Sequence, residues 1–317
     1  MAAVPGKMHE SGFTILGAER CGGKYPGFVF SRAPRNIYWE TTQACDLACR
    51  HCRADANLQR DPDELDTEQG RELLRSVSGL GSMVVLTGGD PMKREDIFEL
   101  VAYGREQRIP LAVTPATTPL LERRHLSEFK RLGVMALGVS LDGSSAARHD
   151  GFRQVEGTFD RALQVLDWVR EIGLPVQVNT TVTADTLPDL PALYELLVKQ
   201  AQPAVRRWSL FLLVPVGRGT ELTIPSAEQV EELFSWIYRV SADAPFHLST
   251  VEAPHYRRYL LQQKLREGIG EPELNRLATS MGFGIRDGNG IIFVSHTGAV
   301  FPAGFLPYPC LGNVKQT

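Results

Sequence analysis

The chain has 317 residues, 43% of them hydrophobic, and 34 Lys and Arg against 37 Asp and Glu give a net charge of -3. That length can bury a large core, as two ordinary domains or one barrel with an appendage, and the charge balance argues against a nucleic-acid partner. No apolar run is long enough to span a bilayer and Met1-Ala2-Ala3-Val4-Pro5 lacks a signal-peptide pattern, while five cysteines, three of them clustered, suit a reducing compartment, so a cytoplasmic protein without a membrane partner is expected.

After an N-terminal extension, residues 1–34, short β-rich apolar runs alternate with helical patterns. Strands are predicted at Ile37 to Thr42, Met83 to Thr87, Leu111 to Thr114, Val134 to Leu141, Val176 to Thr183 and Trp208 to Val214. Helices are predicted between them, at Thr67 to Val77, Arg94 to Gln107, Pro119 to Leu132, Thr158 to Ile172 and Leu187 to Lys199, where apolar residues recur at helical spacing. Six strand–helix repeats predict an α/β fold, a partial (β/α)6 TIM-like barrel over residues 35–245, with a small α+β extension over residues 246–317.

The run Thr41-Thr42-Gln43-Ala44-Cys45-Asp46-Leu47-Ala48-Cys49-Arg50-His51-Cys52 carries the strongest chemical signal. Its spacing suits three thiolates on one face of an iron-sulfur cubane, which leaves a fourth iron open to substrate or cofactor. A zinc site, a disulfide or buried apolar cysteines are the alternatives; zinc favours four closed ligands in paired short spacings, and no second pair follows. His51 lies in the same short loop, which makes it a poor fourth zinc ligand and better suited to shield a cluster. Cys45, Cys49 and Cys52 follow the first predicted strand and Gly88-Gly89-Asp90-Pro91 follows the second, at the C-terminal rim where such barrels carry their reactive groups.

The C-x3-C-x2-C loop after an apolar strand, with Gly-Gly-Asp-Pro downstream, resembles the radical S-adenosylmethionine (radical SAM) superfamily over roughly residues 35–245. The resemblance implies a 4Fe-4S cluster on Cys45, Cys49 and Cys52 and S-adenosyl-L-methionine as second cofactor, cleaved reductively to a 5'-deoxyadenosyl radical that takes hydrogen from substrate. Gly88 and Gly89 then let backbone carbonyls approach the methionyl ammonium and Pro91 fixes the turn exit, with Asp90 where the family more often has glutamate; an ordinary turn is the bland alternative. Further implied cofactor contacts are Thr114, Ser140 and Asp142 in Ser140-Leu141-Asp142-Gly143, Arg153 facing the methionyl carboxylate, Asn179, and Leu213 with Val214 packing adenine. Their plainer readings are an Asx turn at Asp142, a solvated Arg153, an internally bonded Asn179 and a buried strand at Leu213 and Val214.

Residues Gly290 to Pro302 predict a hairpin around His296-Thr297-Gly298 and resemble the start of a SPASM-type or twitch-like extension, incomplete because Ala303 and Gly304 stand where a cysteine commonly follows. Only Cys21 and Cys310 remain, too few for an auxiliary four-iron cluster; an inert thiol is expected at Cys310 and a solvated ring at His296. His255-Tyr256-Arg257-Arg258-Tyr259 opens a basic aromatic helix that either lines a pocket for an anionic substrate or presents a solvated stripe. The expected function is a radical SAM enzyme acting on a peptide or small molecule in cofactor or natural-product biosynthesis, reduced by a donor such as flavodoxin or ferredoxin. The alternatives are a noncatalytic iron-sulfur protein and a zinc-stabilised barrel.

Overall fold

The computed structural model describes residues 32–200, 204–280 and 285–316, so most of the predicted N-terminal extension, with Cys21, lies outside the described residues. The predicted repeats are present: β1 (Asn36–Glu40), α1 (Thr67–Val77), β2 (Met83–Thr87), α2 (Ile97–Glu106), β3 (Leu111–Val113), α3 (Arg123–Arg131) and β4 (Ala136–Ser140). A helix absent from the sequence reading, α4 (Ala146–Arg153), precedes α5 (Thr158–Ile172), β5 (Val176–Val182), α6 (Leu190–Gln200) and β6 (Val205–Leu212). These six strands pair in sequence order, all parallel. Helix limits are set locally: Asp66 caps the start of α1 reciprocally with Gln69, and Gly173, at φ 72°, ends α5.

The sheet continues past the predicted boundary at residue 245. After α7 (Ala227–Val240), β7 (His247–Val251) joins parallel to β6. After α8 (Tyr256–Arg266), α9 (Glu271–Ser280) and β8 (Arg286–Asp287), β9 (Gly290–Val294) pairs in parallel with β1 on the opposite flank. The predicted hairpin is β9 with β10 (Ala299–Phe301), antiparallel, and β11 (Gly312–Asn313) closes that edge. Residues 246–317 thus extend both edges of the barrel sheet instead of standing apart from it.

Alternation sorts each strand into two faces. In β5, Val176, Val178, Thr180 and Val182 are buried toward the helices, whereas Gln177, Asn179 and Thr181 face the concave lumen half-exposed. The core therefore lies between sheet and helices, and the lumen keeps polar side chains. Trp208 is the largest anchor on the helix side of β6: fully buried, it packs among Tyr194, Trp236 and Phe246, and its indole N–H donates to Thr180 Oγ1 at 2.8 Å.

The predicted basic aromatic helix is α8, and it does not reach the lumen. Tyr256 and Tyr259 pack on Phe234 of α7, and Arg258 pairs with Glu231 of α7, because the aromatic face is what the outer layer needs to cover.

Trp208→Ala is expected to lower unfolding free energy by about 3–5 kcal/mol. Trp208→Phe, which keeps most of the ring area but leaves Thr180 without its donor, is expected to cost about 1–2 kcal/mol. Denaturant midpoints at matched slopes check both.

Candidate active site

The cysteine loop is pinned by backbone before side chains act. Thr42 carbonyl accepts from Gly89 N–H at 2.8 Å and Ala44 carbonyl accepts from Asp90 N–H at 2.7 Å, so the exits of β1 and β2 lie one against the other. A Cβ on Gly88, at φ 145°, would fall 2.3 Å from Thr42 oxygen, and one on Gly89 would fall 2.4 Å from Ala44 oxygen. The glycines expected to approach a ligand are thus required first by this chain's own backbone. Asp90 is fully buried; its carboxylate accepts from Met92 N–H (3.0 Å), Ala116 N–H (3.2 Å) and the Thr118 hydroxyl (3.1 Å), tying the exit of β2 to that of β3. Burial nevertheless raises its pKa to about 6. Pro91 is buried at the start of the following turn.

Cys45 and Cys49 are buried and Cys52 half-buried, in a small apolar cluster with Leu47 and Ala56. Each sulfur takes one N–H donor: Leu47 N–H on Cys45 (3.4 Å), Ala56 N–H on Cys52 (3.4 Å), and Arg153 Nη1 on Cys49 (3.5 Å). Such donors satisfy sulfur that bears negative charge. Burial first, with the neighbouring Asp90, Cys49 and Cys52 adding to it, pushes the Cys45 thiol up to about 12. A cationic group bound by the sulfurs relieves that penalty, as metals deprotonate the thiols that ligate them. Among the described residues no three His, Cys, Asp or Glu groups close on a point that one ion could fill. Cubane ligands need not do so, since each thiolate reaches its own iron, and the donor set fits an iron-sulfur cluster.

Asp142 and Arg153, predicted as separate cofactor contacts, face each other. Arg153 Nε donates to Asp142 Oδ2 at 2.7 Å and Nη2 reaches the same oxygen, while Asp142 Oδ1 accepts from Thr181 N–H at 2.7 Å. Both are buried, which departs from the alternatives of an Asx turn and a solvated arginine. Burial opposes both charges, but the pair outweighs it: Asp142 is held below the usual carboxylate range and Arg153 above its ordinary value. Asp142 N–H donates to His149 Nδ1 at 3.0 Å, which leaves the proton of that buried ring on Nε2; burial and Arg153 lower its pKa to about 4. A cavity of about 230 Å³ opens beside this pair, lined in part by Arg50, Phe152, Thr186 and Asp189. His51 stacks on Phe152 with centroids 4.7 Å apart, and burial lowers its pKa to about 3.

The other predicted contacts distribute along the rim and lumen. Thr114 follows β3 with its N–H on Leu86 carbonyl (2.8 Å), Ser140 ends β4, and Ser140 and Asn179 are register partners. Asn179 Oδ1 accepts from Gln177 Nε2 at 2.8 Å, which gives that amide an internal partner. Leu213 and Val214 lie just past the end of β6, half-buried. Beyond them the sequence reading missed Arg218. Its backbone N–H donates to Cys52 carbonyl (3.1 Å), Nε to Cys49 carbonyl (2.9 Å) and Nη1 to Ala56 carbonyl (3.0 Å), so one residue laces the cysteine loop through backbone and side chain together. Gly217, at φ 53°, permits the approach, and the flanking Gly217 and Gly219 were the available signal.

The hairpin histidine is also not solvated. His296 Nδ1 lies 2.7 Å from Glu40 Oε1 and Nε2 3.4 Å from Asp61 Oδ2, while Arg53, next to Cys52, binds the other Glu40 oxygen, the Gly304 carbonyl (3.2 Å) and the Phe293 ring face (4.5 Å). The hydrogen bond to Glu40 raises the His296 pKa against burial; Glu40, despite burial, is held low by His296 and Arg53. Cys310, by contrast, is exposed, its thiol directed at Gly312 carbonyl (3.4 Å). Among the described residues no helix is long and apolar enough to cross a membrane.

The Radical SAM superfamily profile matches residues 39–197, which span β1 to α6 and every element of the rim just described up to β6. The AdoMet-dependent heme synthase of Nitratidesulfovibrio vulgaris is 37% identical over 284 residues, 89% of this chain and 76% of that protein. The Fe-coproporphyrin III synthase of Methanosarcina barkeri is 32% identical over 88% of this chain and 71% of that protein. Streptococcus suis SuiB, solved with S-adenosylmethionine, superposes with a TM-score of 0.68 at 16% identity over 90% of this chain, which spans only 64% of the SuiB chain, and a SuiB structure with the precursor peptide SuiA superposes equally well (TM-score 0.68). With the rim geometry and this breadth of similarity in agreement, the chain belongs to the radical SAM superfamily and is an enzyme of the kind that uses a 4Fe-4S cluster and S-adenosylmethionine.

Proposed function

We propose that this enzyme holds its 4Fe-4S cluster on Cys45, Cys49 and Cys52 and modifies a tetrapyrrole substrate in heme-type cofactor biosynthesis, on the SPASM-type branch of the superfamily. The observation that carries the site assignment is the set of three sulfurs in one pocket, each with its own N–H donor. The substrate class rests on the heme synthase relative, similar across most of both chains. Held on these three cysteines and reduced, the cluster would supply the electron for reductive cleavage of S-adenosylmethionine, and with it the 5'-deoxyadenosyl chemistry that abstracts hydrogen from substrate.

The chain's own residues perform the positioning. Arg153 sets a permanent positive charge beside Cys49, and Asp142 fixes the guanidinium there. Arg218 holds the loop's carbonyls, and the glycine clasp fixes its entry. Gly88 and Gly89 offer backbone groups, with Asp90 and Pro91 bracing their turn, to the methionyl moiety; Thr114, Ser140 and Asn179 face the lumen along its path; Leu213 and Val214 pack adenine. Residues 35–245 form the catalytic core and 246–317 extend its sheet at both edges. An electron donor such as flavodoxin or ferredoxin reaches the cluster from outside. A peptide is the second reading for the substrate, and the observation behind it is a relative, the mycofactocin maturase MftC of Mycolicibacterium smegmatis, 29% identical over 70% of this chain and 57% of that protein.

The deciding experiment is anaerobic reconstitution with iron and sulfide, reduction, addition of S-adenosylmethionine, and quantitation of 5'-deoxyadenosine. Product is expected with the parent protein, background levels with Cys45→Ala, Cys49→Ala or Cys52→Ala, and parental levels with Cys310→Ala. An intact cluster that releases no deoxyadenosine points to the noncatalytic alternative, and stoichiometric zinc without acid-labile sulfide sinks the assignment.

The Asp142–Arg153 pair generates a second prediction. Because the folded Asp142 pKa is depressed, its contribution to stability is present above the ordinary carboxylate range near pH 4 and is lost as pH falls through the lower folded value. Arg153→Met strands a buried carboxylate and is expected to cost about 3–5 kcal/mol at pH 7. The folded Asp142 pKa then rises, so that variant gains stability as pH falls toward 5. The double variant Asp142→Asn/Arg153→Met is expected to recover much of the loss, as read in apoprotein melting temperatures across pH 5 to 8.

A further inference from the structure

The lumen end opposite the cysteine loop carries charge that the proposed chemistry does not use. Register sets Gln177, Arg207 and His247 side by side near the starts of β5, β6 and β7. Trp208, Leu210 and Leu248 are buried against the helices, so Arg207 and His247 lie on the opposite, concave face. The next layer toward the rim confirms the facing: Ser209 and Ser249 bond through their hydroxyls at 2.9 Å.

Among the described residues Arg207 has no acid to answer it: no ion pair includes it, and the titratable groups it feels are Arg35, a like charge, and Tyr38 of β1, a phenol whose raised pKa keeps it neutral. Burial and Arg35 both press on the guanidinium, which stays protonated at any working pH. His247 is pressed down by burial and then by Arg207, so near neutrality it adds a neutral ring, not a counter-charge. The carboxylates of the neighbouring segments, Glu252 just past the rim end of β7 and Asp287 of β8, do not neutralise it either. Both have raised pKa values, Glu252 from burial and then Asp287, Asp287 from burial, whereas a carboxylate held by an arginine is lowered. Gln177 spends its amide N–H on Asn179.

A half-buried, unpaired guanidinium costs solvation that an ordinary structural arginine recovers by pairing. Its planar fork suits a carboxylate. Position adds the rest: from Arg207 to the end of β6 at Leu212 is about 17 Å of strand, so a ligand held here extends up the lumen toward the rim. We propose that Arg207, backed by Arg35, anchors a carboxylate of the substrate at the floor of the barrel, opposite the cysteine loop. The assignment rests on the lumen being the reaction chamber and deepens that reading by requiring an acidic substrate.

The test is equilibrium binding to reconstituted, S-adenosylmethionine-loaded enzyme, followed by absorbance and fluorescence quenching. Two probe pairs separate the sources of a carboxylate: mesoporphyrin IX against its dimethyl ester, and a short peptide as free acid against its C-terminal amide. Arg207→Gln is expected to weaken the acid form of one pair about 10- to 100-fold, the range for a charge-assisted hydrogen bond. The masked form should bind parent and variant alike, and Arg207→Lys should recover part of the loss. Arg35→Gln, at an exposed position, should weaken the same acid by a smaller factor and serves if Arg207→Gln folds poorly. Arg206→Gln, at the exposed neighbouring position, should match the parent. The tetrapyrrole pair responding identifies a propionate-type carboxylate, and the peptide pair responding identifies a peptide acid; either supports the anchor. Equal affinity of acid and masked forms for the parent, or undiminished acid binding by the Arg207 and Arg35 variants, overturns it. Deoxyadenosine formation without substrate reports separately on the activity, so loss of that signal with binding intact overturns the catalytic reading and spares the anchor.

Discussion

Two strand exits lie closer here than side chains allow, and the rest of the site follows from that. Thr42 to Ala44 and Gly88 to Asp90 bond backbone to backbone, at distances that exclude a Cβ on either glycine. The loop carrying Cys45, Cys49 and Cys52 therefore leaves β1 in a direction set by β2. Asp90 passes the constraint on to the exit of β3 through Ala116 and Thr118. A buried carboxylate with a raised pKa is a costly brace, and it is tolerated because three donors converge on it.

Charge then does at side-chain level what the clasp does in the backbone. Arg153 and Arg218 approach the cysteine loop from α4 and from the segment after β6, one reaching a sulfur and the other three backbone carbonyls or their neighbours. Glu40 takes the remaining side, gripping Arg53 beside Cys52 and His296 of the β9–β10 hairpin. Elements far apart in sequence thus meet around one short loop, so its geometry is held by the whole sheet. Buried ion pairs add little net stability but are strongly destabilising when half removed, a pattern suited to fixing one arrangement.

Much of this was legible in the sequence where one local signal sufficed. β2, α1 and α5 have the predicted bounds because a short apolar run or helical periodicity coincides with a cap or a glycine stop. β7 carries no such signal: His247-Leu248-Ser249-Thr250-Val251 has one core residue and needs β6 beside it to be a strand. The local pattern of β9 shows only the hairpin, since pairing with β1 is a contact across some 250 residues that no local pattern records. At the site, residue type announced the cysteines and the glycines. That Asp142 and Arg153 pair, and that His296 sits between Glu40 and Asp61, depends on burial, which a charged residue in a loop does not reveal.

The two faces of the strands explain why this architecture can host a reactive species and an acidic ligand together. Outward positions carry Val, Leu and Trp and pack against the helices. Inward positions are then free to be graded along the strands: unpaired cation at Arg207, hydroxyls at Ser209 and Ser249, and the apolar Phe211 and Val251 nearest the rim. The same gradient orients a ligand that has one anionic end and an apolar body, since only one polarity of binding satisfies both ends of the lumen.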